Sequence, residues 1–111
     1  MELIKKPWGQ EELLEHNEKY VLKRLFLKKG HKCSYQYHEH KKETVYLLSG
    51  LLKIHLEVDG ERTEKVLKPN ESLTIPPFQK HRMEGIEESF YLEASTPELE
   101  DVVRILDDYG R

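Results

Sequence analysis

Residues 52–58 alternate without a break: Leu52, Ile54, Leu56 and Val58 are apolar, and Lys53, His55 and Glu57 between them are polar. A period of two puts the two sets on opposite faces of an extended strand, and a helix could not gather them into one buried stripe. Asp59-Gly60 follows, a dipeptide suited to a tight hairpin turn, so residues 61–67 are expected to return antiparallel. The apolar set then faces a core and His55 faces out. Other short runs obey the same grammar. Residues 20–27 stop at Lys28-Lys29-Gly30, residues 44–48 at Ser49-Gly50, and residues 72–75 at Pro76-Pro77-Phe78. Lys68-Pro69-Asn70 forms a corner, and residues 80–84, 89–94 and 101–106 supply three more candidate strands. Residues 10–16 fit a helix or an edge strand equally well. Trp8, between Pro7 and Gly9, reads as a hydrophobic plug across an open edge. Short strands parted by turns, with no sustained amphipathic helix, predict an all-β sandwich or barrel, and a small jelly-roll β-barrel fits best.

Composition narrows the function classes. A chain of 111 residues is expected to form a single domain, residues 1–111, around one core. Its 18 basic and 21 acidic residues are mixed along the chain, which argues against nucleic acid as a partner. Cys33 is the only cysteine, so no disulfide can form within the chain. The first residues, MELIKKPWGQ, contain no apolar run suited to a signal peptide. The longest apolar run, residues 45–48, is far short of the ~20 residues of a membrane helix. A cytoplasmic protein with no membrane partner is therefore expected.

The chemistry gathers in residues 30–50. If residues 34–40 form a strand, Ser34, Gln36, His38 and His40 share one face. Cys33, Tyr35, Tyr37 and Glu39 share the other, which makes Cys33 a packed thiol facing away from the histidines. Glu43 follows a short bend, and His81 lies beyond the Pro76-Pro77 turn. A lone histidine is more often a surface or satisfied residue than a ligand. Several polar groups facing a barrel interior are different, because each costs several kcal/mol when buried unpaired. Imidazoles with oxygen donors suit one divalent metal ion, whether zinc, iron, manganese, cobalt or nickel.

The spacing of Gly30, Gln36-Tyr37-His38, Glu43 and Gly50 resembles the first signature motif of the cupin superfamily, with glutamine in place of its first histidine. Pro76 and His81 resemble the core of the second motif, with Phe78 where a glycine is usual. Lys6-Pro7-Trp8-Gly9, the arrangement from Gln36 to Glu43, and the C-terminal Asp101-Val102-Val103-Arg104 with residues 107–111 are similar to the isomerase domain of type II phosphomannose isomerase/mannose-1-phosphate guanylyltransferases. No glycine-rich nucleotide loop precedes them, so the isomerase domain alone is implied. The resemblance implies Gln36, His38, Glu43 and His81 as metal ligands, with His40 a reserve ligand or an acid/base. It implies interconversion of mannose 6-phosphate and fructose 6-phosphate, with His40, Glu43 and Glu93 as candidate bases and Lys41 among the catalytic candidates. Lys23, Lys41, Arg82 and Arg104 are candidates to hold a phosphate, a solvated surface role being the alternative for each. Lys41 stands where arginine is usual, keeping the charge but losing the planar fork, and Thr44-Val45 stands where His-Trp is usual. The ligand class is thus a sugar or sugar phosphate, and a homodimer is expected. The alternatives are another metal-dependent cupin enzyme, an oxygenase or a sugar-modifying enzyme, or a non-catalytic sugar-binding or regulatory cupin.

Overall fold

A computed structural model describes residues 2–109, all in strands, turns and loops. The strands are β1 (Glu2–Lys6), β2 (Gly9–His16), β3 (Val21–Leu27), β4 (Tyr35–Tyr37), β5 (Glu43–Ser49), β6 (Leu52–Val58), β7 (Glu61–Leu67), β8 (Ser72–Ile75), β9 (His81–Gly85), β10 (Ser89–Ser95) and β11 (Val103–Leu106). One sheet has the order β1-β2-β3-β10-β5-β8 and the other β11-β4-β9-β6-β7. All pairings are antiparallel. This is the expected all-β jelly roll.

Local chemistry accounts for most of these elements. The β6–β7 hairpin pairs Val58 with Glu61 across Asp59-Gly60, whose φ angles of 52° and 80° are those of the expected tight turn. Residues 10–16 resolve as strand, because β2 hydrogen-bonds to both β1 and β3 and tertiary pairing outweighs their helix propensity. Gly9 permits this: a Cβ there would sit 1.9 Å from the Phe26 carbonyl oxygen, so no other residue lets β2 approach β3 so closely. Residues 34–40 do not form one strand. β4 covers Tyr35–Tyr37 alone, and the chain bends at Glu39 and His40.

The interior has two halves. Trp8, Leu25, Leu27, Val45, Leu47, Leu52, Ile54, Leu67, Ile75, Met83 and Tyr91 fill an apolar half. Lys23, Glu43, His81 and Glu93 lie on the same inward faces of β3, β5, β9 and β10, and all are buried. Register brings them to one end: Lys23 pairs with Glu93, and Glu93 with Val45, two residues from Glu43. Sequence alternation therefore builds a core whose polar end is a site.

Candidate metal centre

Three buried side chains converge at that end. His38 follows β4, Glu43 opens β5 and His81 opens β9, and one ligand atom from each lies within 4.8 Å of the others. Asp101 positions the first two. Its carboxylate accepts the backbone N–H groups of Glu39, His40 and Lys41 at 3.1, 2.7 and 2.9 Å, which fixes the bend between His38 and β5. The turn before β9 adds a second tie, since the Phe78 N–H donates to the His38 carbonyl at 2.7 Å.

Hydrogen bonds also set the tautomers. His38 Nδ1 bonds the Asp101 carbonyl, and His81 Nδ1 bonds the Gln79 carbonyl at 2.8 Å. A carbonyl only accepts, so each ring keeps its proton on Nδ1 and, when neutral, turns the Nε2 lone pair towards Glu43. Those Nε2 atoms lie 3.4 and 3.1 Å from Glu43 Oε1. Neither Nε2 has a hydrogen-bond partner among the described residues, Glu43 Oε2 has only the Lys41 ammonium 3.4 Å away, and all three residues are at most 2% exposed. Three converging acceptors in a dry interior repel one another and have lost their water. A divalent cation answers both costs, and two imidazole nitrogens with a carboxylate oxygen suit one. The residues present fit a metal.

Charged neighbours surround this trio. Burial alone would raise the pKa of Glu43, but hydrogen bonds from Nε2 of His38 and His81, which the rings donate only when protonated, and the Lys41 charge hold it well below the ordinary carboxylate range in the metal-free site. Lys41 Nζ lies 3.4 Å from Glu43 and 3.5 Å from Glu93. Burial pulls the Lys41 ammonium down, yet the charges of Glu93 and Glu43 outweigh it and keep the lysine protonated. Glu93 is pushed up to about 7, by burial first and by the Glu43 charge second, against the opposing pull of Lys41 and Lys23. Lys23 is paired with Glu11 at 3.2 Å.

Beside the trio lies a cavity of about 60 Å³ whose walls include Trp8, Cys33, Gln36, Glu43, His81 and Glu93. A second recess, of about 90 Å³, is lined by Lys23, His38 and Lys41, and it shares Glu11, Gln36, Glu93 and Arg104 with the first. Gln36, the fourth expected ligand, faces His81 in register, and its Oε1 accepts the Ser34 hydroxyl.

Three expectations are corrected. His40 does not share the His38 face, because the strand ends at Tyr37; it sits exposed at the bend with its backbone tied to Asp101. Arg82 is not with the recess cations. It follows inward His81 on β9 and so points the other way, donating to the Cys33 carbonyl at 2.8 Å and pairing with Asp108 at 3.0 Å. Cys33 does not face away: it precedes β4 in irregular chain, lines the cavity and accepts the Met83 N–H at 3.2 Å. Burial pushes its thiol up to about 12, so it is inert as a nucleophile. Asp101 was visible only as part of a C-terminal resemblance. Its partners lie some sixty residues away, and local sequence carries no signal of that pairing.

Residues 2–92 match the family described as mannose-6-phosphate isomerase C-terminal. A mannose-1-phosphate guanylyltransferase of Salmonella montevideo is 32% identical over 97% of this chain, and the Xanthomonas campestris xanthan biosynthesis protein XanB is 28% identical over the same share. The chain spans about a quarter of those relatives, 23% of each. Among solved structures, KdgF from Halomonas superposes with a TM-score of 0.78 at 19% identity, covering 90% of this chain and 89% of that one. CapF, the capsular polysaccharide assembling protein of Staphylococcus aureus, superposes with a TM-score of 0.82 at 16% identity, covering 94% and 31%. These superpositions show a shared fold, and the match over residues 2–92 establishes that the chain belongs to the mannose-6-phosphate isomerase C-terminal family.

Proposed function

We propose that the chain is a metal-dependent, sugar-phosphate isomerase-like cupin of the mannose 6-phosphate/fructose 6-phosphate type. The observation that carries this reading is the convergence of His38, Glu43 and His81, with lone pairs facing one another, beside a cavity that Glu43 and His81 line together with Glu93. His38, Glu43 and His81 would hold the ion, with Gln36, which lines the same cavity as Glu43 and His81, as a further donor. When bound there, a divalent cation would supply Lewis-acid stabilisation of the negative charge that develops on the substrate oxygens.

The chain's own residues do the rest. Isomerisation carries a proton from carbon 2 of the aldose to carbon 1 through a cis-enediol, while a hydroxyl proton passes between the two oxygens. Of the candidate bases, His40 is exposed and Glu43 belongs to the ligand trio, which leaves Glu93. Its raised pKa lets it accept the carbon-bound proton and return it to the neighbouring carbon at neutral pH. Lys41, between Glu43 and Glu93, keeps the two carboxylates apart in role: one a ligand, the other a base. Arg104 with Lys23 and Lys41 supplies the positive recess for the phosphate. A homodimer remains our expectation; on the outer face of the six-stranded sheet Phe26 and Phe90 stack at 4.9 Å, a surface that a second copy could cover.

The test is incubation of metal-loaded protein with each sugar phosphate in deuterated water. Interconversion with deuterium entering at carbon 2 is expected. Neither turnover nor exchange, with any of the five metals, would sink this reading; iron-dependent oxygen consumption would favour the oxygenase alternative instead.

A further inference from the structure

We propose that Trp8 is a recognition donor of the metal cavity, its indole N–H bonding a hydroxyl or carbonyl oxygen of the bound sugar. This rests on the sugar-phosphate reading above and adds to it a residue that reads as a plug from sequence.

Trp8 is the only tryptophan of the chain and is 3% exposed. It packs with Leu25, Met83 and Tyr91, which accounts for the ring as a plug but not for its nitrogen. The indole Nε1 is buried and has no hydrogen-bond partner among the described residues. Buried donors are almost always satisfied, and tryptophan is used where its N–H has something to bond. Trp8 lines the same cavity as Glu43, His81 and Glu93, so the atom that satisfies the indole is one the cavity contains. Its position is fixed: the Trp8 carbonyl accepts the Lys28 N–H at 2.9 Å, and the next residue is the glycine pressed against Phe26.

The chemistry of the donor selects its partner. An indole N–H is uncharged, directional and unable to accept, so it recognises an oxygen lone pair. Lys23 and Lys41 line the neighbouring recess, Arg104 lines both spaces and Lys6 the Trp8 cavity; these cations suit the phosphate, and the uncharged indole suits a sugar oxygen. A sugar lacking that oxygen would strand the donor, and sites built this way reject such analogues strongly.

A single indole gives a single, resolved side-chain N–H resonance. Metal-loaded, nitrogen-15-labelled full chain is titrated with mannose 6-phosphate and with fructose 6-phosphate. The indole resonance is expected to shift and saturate with the same midpoint as the Gln36 side-chain amide. Trp8→Phe, which keeps the plug and removes the donor, is expected to bind about tenfold more weakly. Saturation at Gln36 with the indole unmoved, or an unchanged affinity in Trp8→Phe, overturns the role of Trp8 and leaves the isomerase reading intact. No shift anywhere with either sugar phosphate overturns both. If Trp8→Phe fails to fold, the wild-type resonance decides alone.

Discussion

Asp101 gathers three successive backbone amides onto one carboxylate, and the bend it fixes is what separates His38 from His40. Partial burial would raise its pKa, but the N–H groups of Glu39, His40 and Lys41 bring it down to about 2. A depressed carboxylate stabilises the fold above its ordinary pKa, near 4, and that contribution is lost as pH falls towards 2. Asp101→Ala should therefore cost about 1–3 kcal/mol at neutral pH in urea unfolding, with the difference from wild type shrinking across that acid window. Because the same bend aims His38, metal affinity should also fall by about tenfold or more, read by titration with zinc. Glu93 carries the opposite sign. Its pKa is raised from 4.5 to about 7, so its favourable contribution is complete below about 4.5 and is lost as pH rises through 7. Metal-free Glu93→Gln should flatten that slope and exceed wild type in stability at pH ~8. A wild-type curve that rises between those limits in parallel with the variant would contradict the placement of Glu93.

The turn before β9 ties both histidines and contains the least comfortable backbone at the site. Phe78 has φ of 66°, a left-handed conformation that strains a residue with a bulky side chain, and its ring is 65% exposed. The ring stacks on Tyr37 at 6.2 Å, a contact that returns little burial. Phe78→Gly should therefore raise stability by about 1 kcal/mol in denaturant unfolding, a sign opposite to that of most large-to-small changes. The same turn shows what the sequence could and could not say. Alternation in β6 and the Asp59-Gly60 hairpin were legible, because each depends on near neighbours along the chain. The end of β4 was not, because it depends on Asp101, and extending the strand by three residues put His40 on the wrong side of the bend. Arg82 was misplaced for a related reason. The charge of a residue is visible in sequence, but the sheet face of Arg82 is set by the inward position of His81 one residue earlier.

Across the whole molecule, apolar and polar halves of one interior share the same strands, so occupancy of the site and stability of the fold are coupled. Without a cation, the native state must hold two imidazole lone pairs and the Glu43 carboxylate together in a dry space. A metal that binds this arrangement and not the unfolded chain stabilises it by mass action, about 2.7 kcal/mol at a hundredfold excess over its dissociation constant. For a chain of this length that corresponds to a rise in thermal midpoint of roughly 10 °C or more. Differential scanning calorimetry should show this rise with zinc or manganese and its removal by chelation. Acidification should erode the metal-induced part, because protons compete for the same nitrogen lone pairs. His38→Ala should abolish the shift. His55→Ala should leave it intact, since His55 lies on the outer face of β6, bonded to Glu84 at 2.7 Å, with the sheet between it and the trio. An equal loss in the two variants would mean that the metal answers to surface histidines, and the convergence of His38, Glu43 and His81 would then be a packing arrangement without a cation to explain it.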